Sequence, residues 1–416
     1  MRALLAIAAL LRGAHGGSNH YRVYGGYIPA GGDLRVLPAG TSAAAAMAAC
    51  DALGAACAGL TFDGPRAGPA PGSTYRKNAT ASADFVPDAA SNWTSYLRVS
   101  APCDVLAAAG TPCVAAHSTV RALYASYAGP LYRVARADGG ELDVLPLAGG
   151  AGGVADAAAV DAFCPAAAGG CNVSVIYDQS SSGNDLTVAP QERAGSDLPV
   201  AATAAPITLG GVRAYGALFG PGQGYRCVNT SGMATGNEEE VIYAVVDGER
   251  FNDGCCFDYG NAGVLPGDYG DGSMEALYFG NAAGWSHGFG GGPWVGADLE
   301  NGIWYGNVSG ANPGNMPLKY PFILAQLKGG ANGFALKASD ATQGKLQTMY
   351  DGPRPGGSPG PYQPMQKRGG LILGIGGDNT RIAIGTFYEG AVARGYTRDA
   401  DDDALQRSVV DAGYGA

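Results

Sequence analysis

The chain has 416 residues and a formal net charge of −10 at neutral pH. That acidic balance excludes the basic footprint a nucleic-acid binder needs to neutralise phosphates, and leaves neutral or weakly charged polymers as partners. Glycine fills 69 positions, more than twice its usual share of about 7%, with no strict period; this excludes a collagen-like chain and fits tight turns between many short strands.

Residues 1–16, MRALLAIAALLRGAHG, read as a signal peptide. Arg2 supplies the positive start, Ala3 to Leu11 the short apolar stretch, and Ala14 and Gly16 the small residues near a cut. Nine cysteines and sequons at Asn78, Asn92, Asn172, Asn229 and Asn307 agree with an oxidising, extracellular or cell-wall location for a secreted glycoprotein. By spacing the cysteines group as Cys50/Cys57, Cys103/Cys113, Cys164/Cys171 and the adjacent Cys255/Cys256, with Cys227 single. A zinc site has little support, because Cys-x-x-Cys pairs are absent and only four histidines occur. No apolar run reaches the 18 residues that a membrane span requires.

Residues 17–100 form a first unit. It opens on the strand-like SNHYRVYGGYIP, continues with an Ala-rich helix candidate over Thr41 to Leu53, and passes a Pro/Gly-rich loop from Gly64 to Ser73. The segments CDALGAACAGLTF and WTSYLR resemble the PAN/apple-like modules, small α+β units stapled by a cysteine pair that bind protein or carbohydrate; a structural spacer is the plainer reading. From residue 101 to 416 the text becomes short apolar runs between Gly, Asn and Asp, as at Asn172–Tyr177, Val241–Val246, Phe322–Leu327 and Leu371–Ile375. Only Asp401 to Ala412 reads as a helix there. Such a pattern predicts a mainly β chain with a sandwich or jelly-roll.

Three segments carry candidate chemistry. In GGPWVGADLEN, residues 291–301, a strand puts Val295, Ala297 and Leu299 on the core side and Trp294, Gly296, Asp298 and Glu300 on the other. Two carboxylates and an indole, with a glycine leaving room between, meet the needs of a sugar cleft: the aromatic stacks on the sugar's apolar face and the acids bond and react. An ordinary exposed strand face also carries acids. In GGLILGIGGDNT, residues 369–380, an apolar strand runs through Gly374, Gly376 and Gly377 into Asp378 and Asn379, where a ligand can approach the backbone. No helix follows, so a dinucleotide loop is not expected, and a plain turn is the simpler alternative. In NDGCCFDYGNA, residues 252–262, the two cysteines can bond to each other or each to a distant cysteine such as Cys227. The first option is strained, since neighbouring Cα atoms lie about 3.8 Å apart and ordinary bridges want roughly 4.4–6.8 Å.

These segments belong to a longer series: PCDVLAAAGTPCVAAHSTVRALY, SVIYDQSSSGNDLT, APITLGGVRAYG, NDGCCFDYGNA, MEALYFGN, GPWVGADLEN, LILGIGGDN and GTFYEG. In content and order the series resembles the catalytic domain of glycoside hydrolase family 54, the fungal-type α-L-arabinofuranosidases, from about Pro102 to the C-terminus. The resemblance implies a β-sandwich (jelly-roll or concanavalin-like) that hydrolyses α-L-arabinofuranosides of a polysaccharide or oligosaccharide with retention, without metal or organic cofactor; a monomer is expected. It makes Glu300 the nucleophile and Asp378 the acid/base. It sets a Cys255–Cys256 disulfide against the bound arabinose and brings Asp298, Asn301, Gly377 and Trp285 into the same pocket.

If those roles hold, Glu300 is ionised and Asp378 protonated at the start, so their surroundings must push the two pKa values apart. Retention predicts carboxyls roughly 5–5.5 Å apart, and Asp298 is expected to bond sugar hydroxyls. Two departures stand out. The family's enzymes carry a C-terminal arabinose-binding β-trefoil with no counterpart in these residues, the first unit taking an equivalent place in the architecture. Ser286-His287-Gly288-Phe289 also replaces the Gly/Tyr-rich loop expected after the Trp, at the pocket rim. The competing readings are a retaining glycosidase for another furanoside or a β-xyloside, and a non-catalytic glycan-binding wall protein.

Overall fold

The computed structural model describes residues 21–53, 56–64, 72–78, 86–87, 92–98, 100–147, 153–165, 169–190, 197–265, 269–356 and 362–416. The expected signal peptide and most of the Pro/Gly-rich loop lie outside them. The described residues fall into two compact units, one drawn from residues 21–98 and the other from 100–416.

In the first unit six strands form one sheet, in the order Asp33–Leu37, Thr74–Lys77, Gly59–Asp63, Trp93–Arg98, Tyr21–Tyr27, Val86–Pro87. The helix α1 (Ala43–Asp51) is capped by the Ser42 hydroxyl, which accepts from the Ala45 amide. Ala46 and Cys50 on the helix meet Cys57 and Leu60 in a small core, and a Cys50–Cys57 disulfide ties helix to sheet.

The second unit is a sandwich of two antiparallel sheets. Its ten-stranded sheet runs Ile303–Trp304, Trp294–Asp298, Glu275–Gly280, Asp258–Ala262, Gly370–Leu373, Tyr225–Cys227, Leu186–Val188, Asn172–Ile176, Tyr132–Ala135, Glu141–Val144. The opposing sheet runs Ala205–Leu209, Val212–Phe219, Gly385–Arg394, Glu240–Val246, Ile323–Gly329, Gly333–Asp340, Gln347–Pro353, with Cys113–Ser118 also paired to Gly385–Arg394. Tyr259, Leu277, Val295 and Leu371 from the first sheet meet Ile242, Ala244, Leu327 and Phe387 from the second in the main core.

The run Val241–Val246 is apolar without alternation because both of its faces are buried. Ile242, Ala244 and Val246 face the sandwich core, while Val241, Tyr243 and Val245 face a second core closed by Leu405 and Val409. Those two leucine and valine side chains belong to the C-terminal helix, Asp399–Val410, which agrees with the expected Asp401–Ala412 within the usual uncertainty of helix ends.

Two further helices correct the expectation that only this stretch is helical. They are α2 (Pro102–Ala108), with proline in its first turn, and α3 (Ala157–Phe163), capped by the Asp156 carboxylate at the Ala159 amide. With α2 and α3 in place the C-terminal helix is α4. Each of the two has seven residues, too short for a 3.6-residue period to show. Disulfides join Cys103 to Cys113 and Cys164 to Cys171, while Cys227 is a half-buried free thiol. Among the described residues no helix is long and apolar enough to cross a membrane.

Candidate active site

The strand Trp294–Asp298 alternates as expected, with Val295 and Ala297, and Leu299 beyond them, buried in the sandwich core. Its outward side differs in three ways from a simple strand reading. Trp294 is buried, its indole N–H bonded to the Phe289 carbonyl and its ring against Tyr305, so its ring is not free to stack on a ligand. The space over Gly296 is filled: a Cβ there would lie 2.9 Å from the Tyr305 ring. Glu300 lies past the strand end, where Glu300 and Asn301 take left-handed φ values of 57° and 48°. Residues other than glycine pay for that conformation and keep it where the surroundings fix it. Here the Asp298 Oδ1 accepts from the Glu300 amide at 2.9 Å, and the Tyr362 hydroxyl donates to the Glu300 and Asn301 carbonyls at 3.1 and 3.3 Å. The turn aims a carboxylate that is 7% exposed, with Oε1 accepting from the Tyr269 amide at 3.3 Å.

Asp378 arrives from the other side, on the turn after the strand Gly370–Leu373. Its Oδ1 accepts from the Thr380 amide at 2.8 Å and from the Thr380 hydroxyl, which leaves Oδ2 unbonded among the described residues. The turn is anchored from below by Arg226, which is 1% exposed and donates to the Gly377 and Gly376 carbonyls at 2.5 and 3.4 Å. Gly376 lets this turn close on the disulfide, since a Cβ there would lie 3.1 Å from the Cys256 sulfur. Cys255 and Cys256 are bonded to each other, which settles the alternatives left open by their spacing.

These groups share one open cavity of about 240 Å³. Cys255, Cys256, Trp285, Asp298, Glu300, Asn301, Gly377 and Asp378 line it, together with Met274, Gly302, Gly376 and Thr380. Every residue expected in the pocket is therefore in it. Trp285, 38% exposed, supplies the indole that the strand reading had given to Trp294. The loop that departs from the family is divided: Ser286 is buried and accepts from the Tyr305 amide, while Phe289 is 54% exposed.

Sequence reasoning missed Met274, Thr380, Arg226, Tyr362 and Asp258. The signal for Arg226 was a lone cation in the strand Tyr225–Cys227, and for Asp258 an acid two residues past the cysteine pair.

The electrostatics are those of a buried acidic site. Burial lifts the Asp298 carboxyl to about 6, against the hydrogen bond from the Glu300 amide and the neighbouring Asp258 carboxyl, which pull it down, and Asp378 adds to the rise. The Asp298 Oδ2 also lies 3.3 Å from the Cys256 sulfur, a contact without a hydrogen because that sulfur is in the disulfide. Cys255, Cys256 and Asp298 have donor atoms within 4.8 Å of one another, but the mutual S–S bond removes both thiolates a metal would need.

The profile of the family described as "Alpha-L-arabinofuranosidase B, catalytic" matches residues 102–415. The chain belongs to this family. Alpha-L-arabinofuranosidase B of Emericella nidulans is 51% identical over 328 residues, 77% of this chain and 63% of that protein, so the chain spans less than two thirds of that relative's length. Two solved structures match with a TM-score of 0.72 and 46% identity over 76% of this chain and 66% of theirs. They are a GH54 α-L-arabinofuranosidase soaked with a cyclic sulfate inhibitor and an arabinofuranosidase complexed with arabinofuranosyl-α-1,2-xylobiose. The family's profile begins at residue 102, past the first unit, and it covers both sheets of the sandwich and the whole cavity.

Proposed function

We propose that this chain is a secreted, retaining exo-glycosidase that releases terminal α-L-arabinofuranosyl residues from arabinose-containing polysaccharides. The observation that carries the reading is the shared cavity, in which two carboxyls from different elements, Glu300 and Asp378, face one space beside an aromatic and a disulfide. Membership of the family described as alpha-L-arabinofuranosidase B supports arabinose as the sugar, and a relative's structure holding an arabinofuranosyl-xylobiose agrees with a carbohydrate partner. At about 240 Å³ the cavity is smaller than the roughly 300–1,000 Å³ of sites for larger ligands, as suits one terminal pentose. Secretion rests on the N-terminal leader-like text, the disulfides and exposed sequon asparagines such as Asn172 and Asn229. Residues 17–100 are proposed as a separate PAN/apple-like module.

The chemistry takes two displacements. Glu300 attacks the anomeric carbon while the glycosidic C–O bond breaks and Asp378 gives its proton to the leaving oxygen. Water then adds to the glycosyl-enzyme from the side the aglycone left, Asp378 taking its proton and Glu300 departing as carboxylate. Asp298, Asn301 and the Gly377 backbone bind sugar hydroxyls, the Cys255–Cys256 disulfide packs against the apolar ring face, and Trp285 forms the rim.

The test is hydrolysis of a chromogenic α-L-arabinofuranoside beside a β-xyloside. The parent should cleave the first, and Glu300→Gln and Asp378→Asn should each lose about 10²-fold or more with the fold intact. Preference for the xyloside would move the assignment to another sugar, and a folded but silent parent to a glycan-binding protein.

A further inference from the structure

Asp258 stands behind the cavity, on the strand Asp258–Ala262 that follows the disulfide. Phe257 and Tyr259 point into the sandwich core, so Asp258 points to the opposite face, the one that carries the site. Across the sheet it pairs with Tyr278, which pairs with Gly296, two residues before Asp298 on the same face.

The carboxyl of Asp258 is 1% exposed, and neither of its oxygens meets an N–H or O–H donor among the described residues. The nearby tyrosines are engaged elsewhere: the Tyr278 hydroxyl donates to the Gly254 carbonyl and the Tyr305 hydroxyl to the Ala282 carbonyl. The groups that bear on the Asp258 carboxyl are themselves acids, Asp298 first and then Asp378. Two carboxylates are both acceptors and bond only when one of them keeps a proton. Burial first, then Asp298 and Asp378, push the Asp258 carboxyl well above the ordinary range, so Asp258 is the partner that keeps it.

We propose that Asp258 is a positioning residue of this site: a neutral carboxylic acid whose O–H bonds to Asp298, so that the buried pair carries one negative charge rather than two. The donor on one side and the Glu300 amide at 2.9 Å on the other fix the plane of the Asp298 carboxylate. They also tie it to the left-handed turn that aims Glu300. The effect on catalysis rests on the glycosidase reading, but the protonation state does not.

Infrared spectroscopy separates the two. At neutral pH the parent minus Asp258→Asn difference spectrum should contain the C=O stretch of a protonated carboxyl; the subtraction is needed because buried Glu240, pushed up to about 8, contributes a similar band. No substrate enters that measurement, so a parent silent on arabinofuranosides would sink the activity and leave this result standing. In an active parent, Asp258→Asn keeps a donor and should hold kcat/KM within a few-fold. Asp258→Val removes the donor and should lose about tenfold or more, chiefly in KM. KM in the parent should rise at the alkaline end, where the shared proton is lost, and stay flat in Asp258→Asn, which has none to lose. A difference spectrum without the carboxyl band overturns the proposal, as does equal impairment of both variants with the parent's pH profile unchanged.

Discussion

Asp298 combines a charge with deep burial, and that has a consequence in pH. Its carboxyl is lifted to about 6, so it is ionised above that value and neutral below it. If it binds sugar hydroxyls as an acceptor, KM for an α-L-arabinofuranoside should rise as the pH falls through about 6, with kcat changing less; a KM flat between about pH 5 and 7 would contradict this. The stability effect has the opposite sign. A carboxyl whose folded pKa is raised binds protons more tightly when folded, so its contribution to stability grows as the pH falls from about 6 towards the unfolded value near 4. At this scale the motif text led to Asp298, Glu300 and Asp378, because acids beside glycines and an aromatic are visible in sequence. It placed Glu300 on a continuing strand, and the period of two misleads there: the chain turns at a positive φ that depends on the distant hydroxyl of Tyr362. Trp294, outward-facing in the strand reading, is buried for the same kind of reason, by packing against Tyr305.

Among the elements, α4 is held to the opposing sheet by a charged knot that the sequence did not reveal. Asp402, 1% exposed, accepts from Lys328 at 2.8 Å and from Lys337 at 2.7 Å, both lysines buried, and from the Thr397 hydroxyl. Burial alone would raise the Asp402 carboxyl; the bonds from Lys328, Lys337 and Thr397 outweigh it and hold the group below the usual range. Its contribution is therefore complete above the unfolded value near 4 and is lost as the pH falls through the lower folded value. Asp402→Asn leaves buried Lys328 without a counter-charge, while Lys337 keeps Asp399 at 2.6 Å, and should cost about 3–5 kcal/mol in a denaturant melt at pH 7. A loss under about 1 kcal/mol would mean that water or neighbouring groups replace the carboxylate. The apolar strands of this sheet were legible because burial on both faces leaves unbroken runs such as Val241–Val246. The helices α2 and α3 were not, because seven residues make only about two turns, too few for a helical period to stand out.

For the whole molecule, mainly β architecture followed from glycine-punctuated apolar runs, and the order of the motif blocks pointed to the family. Pairing between strands far apart in sequence, which brings the turn of Glu300 opposite the turn of Asp378, leaves no local mark on the text. The same holds for Arg226 and Asp258, whose partners lie in other segments. The central claim is that this assembly forms a glycosyl-enzyme on Glu300 with Asp378 as acid/base. The most direct test is mass spectrometry of Asp378→Asn incubated with an α-L-arabinofuranoside bearing an activated leaving group, which needs no proton for the first step and waits on the second. The account predicts one arabinosyl residue accumulating on the peptide that contains Glu300. A label on another peptide, or product formed with none trapped and with inverted configuration, would contradict it.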